Sequence, residues 1–390
     1  MKALSVLLLI CFSFSAFAQD DFLAKRYFED GDFEKAVVFY EKLVEKEPRR
    51  TDFAEGLVAC YQQLERYSEA EQFLLLQIEK GRPNPIFMVE LGYNYTLQQF
   101  PDKANNYYDQ AIGMIAENPN YGYGIGYRFQ KYALLGYALK AYEKAMSLNS
   151  SLDYNFQMAR IYGEQGDIDK MFESYLTLIG NGKSSLSNVL RNFDDFITED
   201  AEYVNNIKLK TILLKKAQKE PNILWNQLLS WLFVQQKQYN SAFRQEKAIF
   251  KRQNGVSLQR LENLGNVSLE NSDFETASNI FNYIVDNATN EVSQLIAKLN
   301  IIDIELIDAD TNQLNAIQKK YEQLTIEHGY KNQTLQLQIA YANFLTFKKD
   351  QPEDAIEILK NSLELPLNAR GKAFVKLALG DILVYDKKFN

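Results

Sequence analysis

Histidine and cysteine are scarce in this chain of 390 residues, which has one histidine, His328, and two cysteines, Cys11 and Cys60. A zinc-type site needs three or four such ligands, so one chain cannot assemble it. We therefore predict no metal site, no cofactor and, once a leading segment with Cys11 is removed, no internal disulfide. Carboxylate sites remain possible, but the fold has to be held together by packing alone.

Positive charge is also in short supply. Lys and Arg together number 43 against 51 Asp and Glu, which gives a formal net charge of -8. Binding to a nucleic-acid backbone depends on clustered Lys and Arg, and no such cluster occurs along the sequence. We therefore predict a protein or peptide partner rather than a nucleic acid. The hydrophobic content of 46% excludes a disordered chain.

Residues 1–18 have the features of a secretory signal peptide. Lys2 gives a positive start, residues 4–17 are almost wholly apolar, and Ala16 and Ala18 are the small residues that precede a cleavage site at Gln19. We expect an exported protein of the periplasm or outer surface of a Gram-negative envelope.

Two other interpretations of this segment are weaker. A membrane anchor needs about 20 apolar residues, and neither this run nor any later one is long enough. A lipoprotein would use Cys11, but Ile10 stands where the lipoprotein pattern requires a small residue. We therefore expect no lipid anchor and no membrane-spanning segment after cleavage.

A period of about 34 residues organises the rest of the chain. Repeats start at residues 17, 51, 85, 119 and 152, which are 34, 34, 34 and 33 residues apart. The twentieth position is small in four of these repeats, and the twenty-fourth is mostly aromatic. These positions hold Ala36, Ala70, Ala104, Ala138 and Met171, and Tyr40, Leu74, Tyr108, Tyr142 and Tyr175. A small residue at a helix crossing, with a large one four residues later, favours stacked helix pairs.

At these residues, and at Leu91, Gly92 and Tyr95, the chain resembles the tetratricopeptide repeat family. The resemblance implies an all-α, right-handed superhelical solenoid of about ten antiparallel helix pairs. We predict a regular array at 19–185, a divergent helical pair at 186–222, repeats at 223–288, a longer divergent pair at 289–331, and a repeat plus half of another at 332–390. Because the last segment looks like half a repeat, we expect these residues to be the N-terminal part of a longer protein.

Two motifs with possible chemistry are better explained by structure. Cys60 and His328 lie about eight repeats apart, and each repeat of a solenoid mainly contacts its neighbours, so the two cannot act as nucleophile and base. Asp308 and Asp310 begin like a calcium loop, but Gln313 occupies the position that requires glycine. We interpret these aspartates as part of a capped helix start and predict that the protein is not an enzyme.

Gly122, Gly124 and Gly126 resemble a phosphate-binding loop only superficially, because no strand precedes them and the third glycine is misplaced. Glycine weakens a helix interior by about 1 kcal/mol relative to alanine. The segment is therefore either locally soft or approaches something closely, and we predict a ligand contact there.

The resemblance also implies a binding surface, since in this family five first-helix positions line the inner, concave face. In repeats three to five those positions are unusually apolar and aromatic, as partner surfaces often are. The predicted partner-binding residues are Val89, Tyr93, Leu97, Tyr123, Tyr127, Gln130, Lys131, Phe156 and Arg160. The alternative is that the aliphatic members belong to the core and the tyrosines only fill consensus positions. Leu224, Gln227, Trp231 and Val234 form a weaker second patch, for which core packing is the favoured explanation.

These observations predict a non-enzymatic scaffold that holds a partner protein or peptide on its concave surface. Two alternatives stay open. The repeats could be the targeting half of a longer protein whose catalytic or membrane domain follows residue 390, or the tyrosines could stack on sugar rings in a periplasmic glycan or solute binder.

Overall fold

The computed structural model describes residues 20–79 and 84–387, so the predicted signal peptide and the last three residues lie outside the described residues. Twenty-one α-helices occur in that part of the chain, with no strand. The predicted all-α repeat fold is confirmed. The helices are α1 (20–29), α2 (Phe33–Lys46), α3 (Thr51–Gln63), α4 (Tyr67–Glu79), α5 (Pro85–Leu97), α6 (Pro101–Gly113), α7 (Tyr121–Lys131), α8 (Leu135–Leu148), α9 (Asn155–Glu164), α10 (Ile168–Gly180), α11 (Leu186–Phe193), α12 (Val204–Lys219), α13 (Ile223–Gln235), α14 (Tyr239–Arg252), α15 (Gln259–Glu270), α16 (Phe274–Asn287), α17 (Glu291–Glu305), α18 (Thr311–His328), α19 (Leu335–Lys349), α20 (Pro352–Leu363) and α21 (Ala369–Tyr385).

The chain divides into two compact units between Val189 and Leu190. In the first unit the helices pack as successive pairs from α1 and α2 to α9 and α10. In the second unit, α13 with α14, α15 with α16 and α19 with α20 form such pairs, and α16 also packs closely on α17. Each pair consists of a first helix and a second helix, and these two terms are used below.

A left-handed residue joins the two helices in most pairs. Among the described residues, only Gly31 and Gly166 are glycines at this position, although glycine adopts a positive φ without steric cost. The other turns place a residue with a side chain at a positive φ of 55° to 62°. These residues are Glu65, Gln99, Ala133, Lys237, Ser272 and Asp350. Each such residue holds about 1 kcal/mol or more of backbone strain, which the packing of the pair has to offset.

The residues at the two recurring positions form the core of the first unit. All ten predicted side chains, from Ala36 and Tyr40 to Met171 and Tyr175, are buried. Two of the aromatic rings pack directly against a glycine of the first helix. A Cβ at Gly92 would overlap Tyr108, and one at Gly126 would overlap Tyr142. The same pairing recurs in the second unit, where Gly265 faces Phe281. Each ring therefore occupies a notch, which is a space that the Cβ of any residue other than glycine would fill.

The two divergent stretches are also helical. Helix α11 has 8 residues and α12 has 16, while α17 and α18 have 15 and 18. Asp310 forms a capping box with Gln313 at the start of α18, and Gly329, with φ 68°, follows its end. The interpretation of the aspartates as a capped helix start is thus confirmed for Asp310.

Candidate functional site

A buried ionic cluster ties three successive first helices of the first unit together. Arg128 of α7 contacts Glu55 of α3 at 2.5 Å between Nη2 and Oε2, and Glu90 of α5 at 3.1 Å between Nε and Oε1. The Tyr132 hydroxyl donates a 2.6 Å hydrogen bond to Glu90 Oε2. The Tyr132 ring stacks on Tyr93 with 3.7 Å between ring centroids.

Burial governs the protonation of this cluster. Loss of hydration raises the pKa of the Glu90 carboxyl, while Arg128 and the hydrogen bond from Tyr132 act in the opposite direction. Burial and then the neighbouring Glu90 raise the pKa of Tyr132. Burial also acts to lower the pKa of Arg128, but Glu90 and Glu55 outweigh it and the net shift is upward. The cluster therefore keeps Arg128 charged and positions α7 against α3 and α5.

Four large hydrophobic side chains on the first helices α5, α7 and α9 are exposed, and we call them the aromatic patch. The exposed fractions are 36% for Leu97, 49% for Tyr123, 56% for Tyr127 and 40% for Phe156. The rings of Tyr123 and Tyr127 are nearly parallel, with centroids 6.3 Å apart. The Phe156 ring meets the buried Tyr175 edge-on at 6.1 Å. Three first helices, α5, α7 and α9, thus each contribute to an exposed apolar surface.

The other predicted partner-binding residues are divided between surface and interior. Lys131 and Arg160 are exposed, beside Tyr127 and Phe156 in their own helices. Gln130 is half-buried, and its Oε1 accepts a 2.7 Å hydrogen bond from the Tyr142 hydroxyl. Tyr93 is half-buried because it stacks on Tyr132.

Val89 requires a correction, because it is fully buried among the helices and presents nothing to a partner. Its position in the repeat belongs to the inner face in the resembling family, but here the side chain packs into the core. That outcome is the alternative that the sequence analysis left open for the aliphatic members.

The glycine-rich start of α7 also has an internal explanation. A Cβ at Gly122 would overlap the Ala145 side chain, and one at Gly126 would overlap the Tyr142 ring, whereas Gly124 has only an ordinary 3.5 Å approach to Ile86. Two of the three glycines therefore permit close packing of α7 on α8. The predicted ligand contact is not what explains them, although the exposed Tyr123 and Tyr127 lie on the same helix.

The second predicted patch lies at the edge of a core. Leu224, Gln227, Trp231 and Val234 are all half-buried, and the Trp231 ring packs on the buried Phe193 with 6.2 Å between centroids. Trp225, on the same helix, is buried. Core packing accounts for this group.

The second unit contains a cleft that the sequence analysis missed, and we call it the α19 cleft. Its volume is about 480 Å³, and it runs along α19 with walls from α17, α18 and α21. Its floor includes the buried Tyr321 and Phe344, and its rim includes the exposed Phe347 and Phe374. Side chains from four helices build the cleft, so no local sequence pattern marks it.

No described feature resembles a catalytic centre. Cys60 is completely buried, and burial raises the pKa of its thiol to about 12, so it is not a nucleophile. Within residues 20–79 and 84–387, no group of three or more His, Cys, Asp or Glu side chains is arranged to hold a metal ion. In the same part of the chain, no helix combines the length and the apolar character that crossing a bilayer requires.

Comparisons with known proteins agree with the repeat pattern. A model of the tetratricopeptide repeat matches residues 27–86, which contain the last three residues of α1, all of α2 to α4 and the start of α5. Helix pairs with the same small and aromatic crossing residues continue beyond that range, so the resemblance to the tetratricopeptide repeat extends past the matched residues. No curated protein sequence matches it.

Several solved structures align over most of the chain. Yeast Tom70 is 13% identical, with 95% of this chain and 89% of that chain covered and a TM-score of 0.32. The tetratricopeptide repeat domain of P58(IPK) is 10% identical over 96% of this chain and 99% of that chain, with a TM-score of 0.26. The complex of Naa15 and Naa10 bound to HypK-THB aligns at 13% identity over 94% and 55%, with a TM-score of 0.34. At these TM-scores the alignments carry no argument, and the likeness to tetratricopeptide repeats rests on the match at residues 27–86 and on the repeat pattern.

Proposed function

We propose that the protein is a non-enzymatic scaffold that binds a segment of a partner protein on the aromatic patch. One observation carries this proposal: Leu97, Tyr123, Tyr127 and Phe156 all expose apolar surface, and they lie on three successive first helices. Contiguous exposed apolar surface commonly marks interaction sites, and tyrosine is among the residues most enriched in binding hot spots.

The helices beneath the patch are well suited to hold these side chains in place. Arg128 lies one residue after Tyr127, and its ion pairs reach α3 and α5, so the backbone that carries the patch is fixed before a partner arrives. A preorganised surface loses less entropy on binding than a mobile one. Lys131 and Arg160 give the patch a charged rim, which supports recognition of a partner segment with both apolar and acidic residues.

The proposed place of action is the bacterial cell envelope. It is supported by the sequence of residues 1–18, with its positive start, apolar run and small residues before Gln19. The absence of a catalytic group among the described residues is compatible with a scaffold, whose function depends on shape and contact alone.

Photo-crosslinking from the patch tests the proposal. A photoreactive amino acid would replace Tyr127 in one variant and Leu76, an equally exposed apolar residue of the second helix α4, in the other. After illumination in envelope fractions, position 127 should capture one protein that position 76 does not. The captured protein, identified by mass spectrometry and purified, should then bind the unmodified chain directly. Equal capture at both positions would contradict a site on the patch.

A further inference from the structure

The α19 cleft has a polar pattern that points to a particular kind of ligand. Its wall carries one carboxylate, Asp303 of α17, and two side-chain amides, Gln336 and Asn343 of α19. In residues 20–79 and 84–387, none of these three groups has a hydrogen-bond or ion-pair partner, and all three are accessible to solvent. The cleft therefore presents unused polar groups next to apolar walls.

The two amides favour an extended peptide. Gln336 and Asn343 are seven residues apart, so they lie on one face of α19 about 10 Å from each other. An extended chain covers that distance in about three residues, and its backbone N–H and C=O groups need partners that a side-chain amide supplies. A helix satisfies its own backbone and gains little from such amides.

The apolar walls favour hydrophobic side chains on that peptide. Ile339 lies between the two amides along α19, and the rings of Phe347 and Phe374 are half exposed at the rim. Leu335 to Phe347 spans about 18 Å of helix, which matches about five extended residues. A cleft of about 480 Å³ is large enough for the side chains of such a segment.

The unpaired carboxylate of the cleft favours a cation. Asp303 faces the cleft without a cationic partner, and the chain as a whole has a formal charge of -8, which attracts basic segments over a longer range. Lys348 also lines the cleft, but no ion pair joins it to Asp303. A lysine or arginine of the ligand would give the carboxylate the charged hydrogen bond that it lacks.

From these observations we propose that the α19 cleft binds an extended peptide segment in which a lysine or arginine stands next to large apolar residues. Asp303 pairs with the basic side chain, Gln336 and Asn343 bond to the peptide backbone, and Phe347 and Phe374 cover the apolar side chains. This site lies in the second unit and does not depend on the aromatic patch.

A titration with a matched pair of peptides tests this site. The probe is the fluorescein-labelled pentapeptide Ser-Leu-Lys-Phe-Ser, its partner has glutamate in place of lysine, and both are titrated with the full chain by fluorescence anisotropy. The lysine peptide should bind saturably and at least ten times more tightly than the glutamate peptide. Asp303→Asn should weaken the lysine peptide about tenfold, because it removes a charged hydrogen bond. Lys348→Gln should strengthen it a few-fold, because it removes a like charge.

Two control variants and two further measurements complete the design. Asp308→Asn makes the same change at an exposed loop residue outside the cleft, and Leu76→Ala changes an exposed residue of α4 in the first unit; both should bind like the unmodified chain. Equal binding of the two peptides, or equal effects of Asp303→Asn and Asp308→Asn, would overturn the proposal. A bound peptide with a helical circular-dichroism spectrum would overturn the extended mode. A chain dimer that the peptide dissociates would assign the cleft to a second copy instead.

Discussion

Two glycines of the same helix should respond in opposite ways to the same substitution. Gly124 and Gly126 both lie inside α7, so Gly→Ala gives each position the same gain in helix propensity, about 1 kcal/mol. Their surroundings differ. A Cβ at Gly124 makes an ordinary contact with Ile86 at 3.5 Å, whereas one at Gly126 lies within 3.0 Å of three atoms of the Tyr142 ring.

The size of the difference follows from the ring's position. Tyr142 is fully buried and its hydroxyl is bonded to Gln130, so the ring cannot move aside freely. Forcing extra volume into a packed core costs about 1 to 3 kcal/mol. Gly126→Ala should therefore destabilise the protein by about 1 kcal/mol net, while Gly124→Ala should stabilise it by about 1 kcal/mol. The two variants should differ by about 4 to 8 °C in melting temperature.

Calorimetry and urea unfolding of both variants, with circular dichroism to verify helix content, would measure this gap. A second background checks the cause: with Tyr142→Leu in place, Gly126→Ala should lose its penalty, since the clash is with the ring. Equal stability of the Gly124→Ala and Gly126→Ala variants would refute the notch as the reason for glycine. A penalty that persists beside Tyr142→Leu would refute the assignment to this ring.

Three further predictions concern a buried charge, a buried thiol and a strained turn. Arg128→Met should cost about 3 to 5 kcal/mol of unfolding free energy because it leaves Glu90 buried without its cation, and adding Glu90→Gln should restore more than half of that loss. As a control, Arg66→Met in the exposed pair with Glu69 should cost less than about 1 kcal/mol. Urea unfolding that shows equal costs for the two arginines would contradict the buried cluster. With Cys11→Ser present, Cys60 should resist iodoacetamide at pH 8 because the thiol is buried and its pKa is raised to about 12, and it should react only after unfolding. Rapid labelling of the native chain would contradict the burial of Cys60. Ala133→Gly should stabilise the chain by up to about 1 kcal/mol because Ala133 has a positive φ. Ala316→Gly, at an exposed position inside α18, should destabilise the chain by about as much. Thermal melts in which both variants shift the melting temperature in the same direction would exclude backbone strain at Ala133.

The sequence could reveal the repeat packing because its period places equivalent residues in equivalent surroundings. Ala104 and Tyr108 lie four residues apart on one helix face, so their roles follow from local spacing alone. The start of the third repeat at residue 85 coincides with the first residue of α5. Glycine notches leave a similar trace in the sequence, since Gly92, Gly126 and Gly265 each precede their ring by 16 residues.

The functional surfaces were less predictable because they depend on contacts between distant segments. Glu90 and Arg128 are 38 residues apart, and nothing in either neighbourhood indicates that the two become a buried pair. Val89 occupies a position that lines the inner, concave face in the resembling family, yet its burial here depends on how closely its neighbours pack. The α19 cleft combines side chains of α17, α18, α19 and α21, so only the folded chain shows it.

The central claim is that the aromatic patch is the surface that binds a partner protein. Isothermal titration of the protein captured at position 127 against the unmodified chain, Tyr127→Ala and Leu76→Ala tests it most directly. Truncation of a hot-spot tyrosine costs about 2 kcal/mol or more, so Tyr127→Ala should weaken binding at least about 30-fold, with Leu76→Ala unchanged. Equal affinities for all three proteins would contradict the claim.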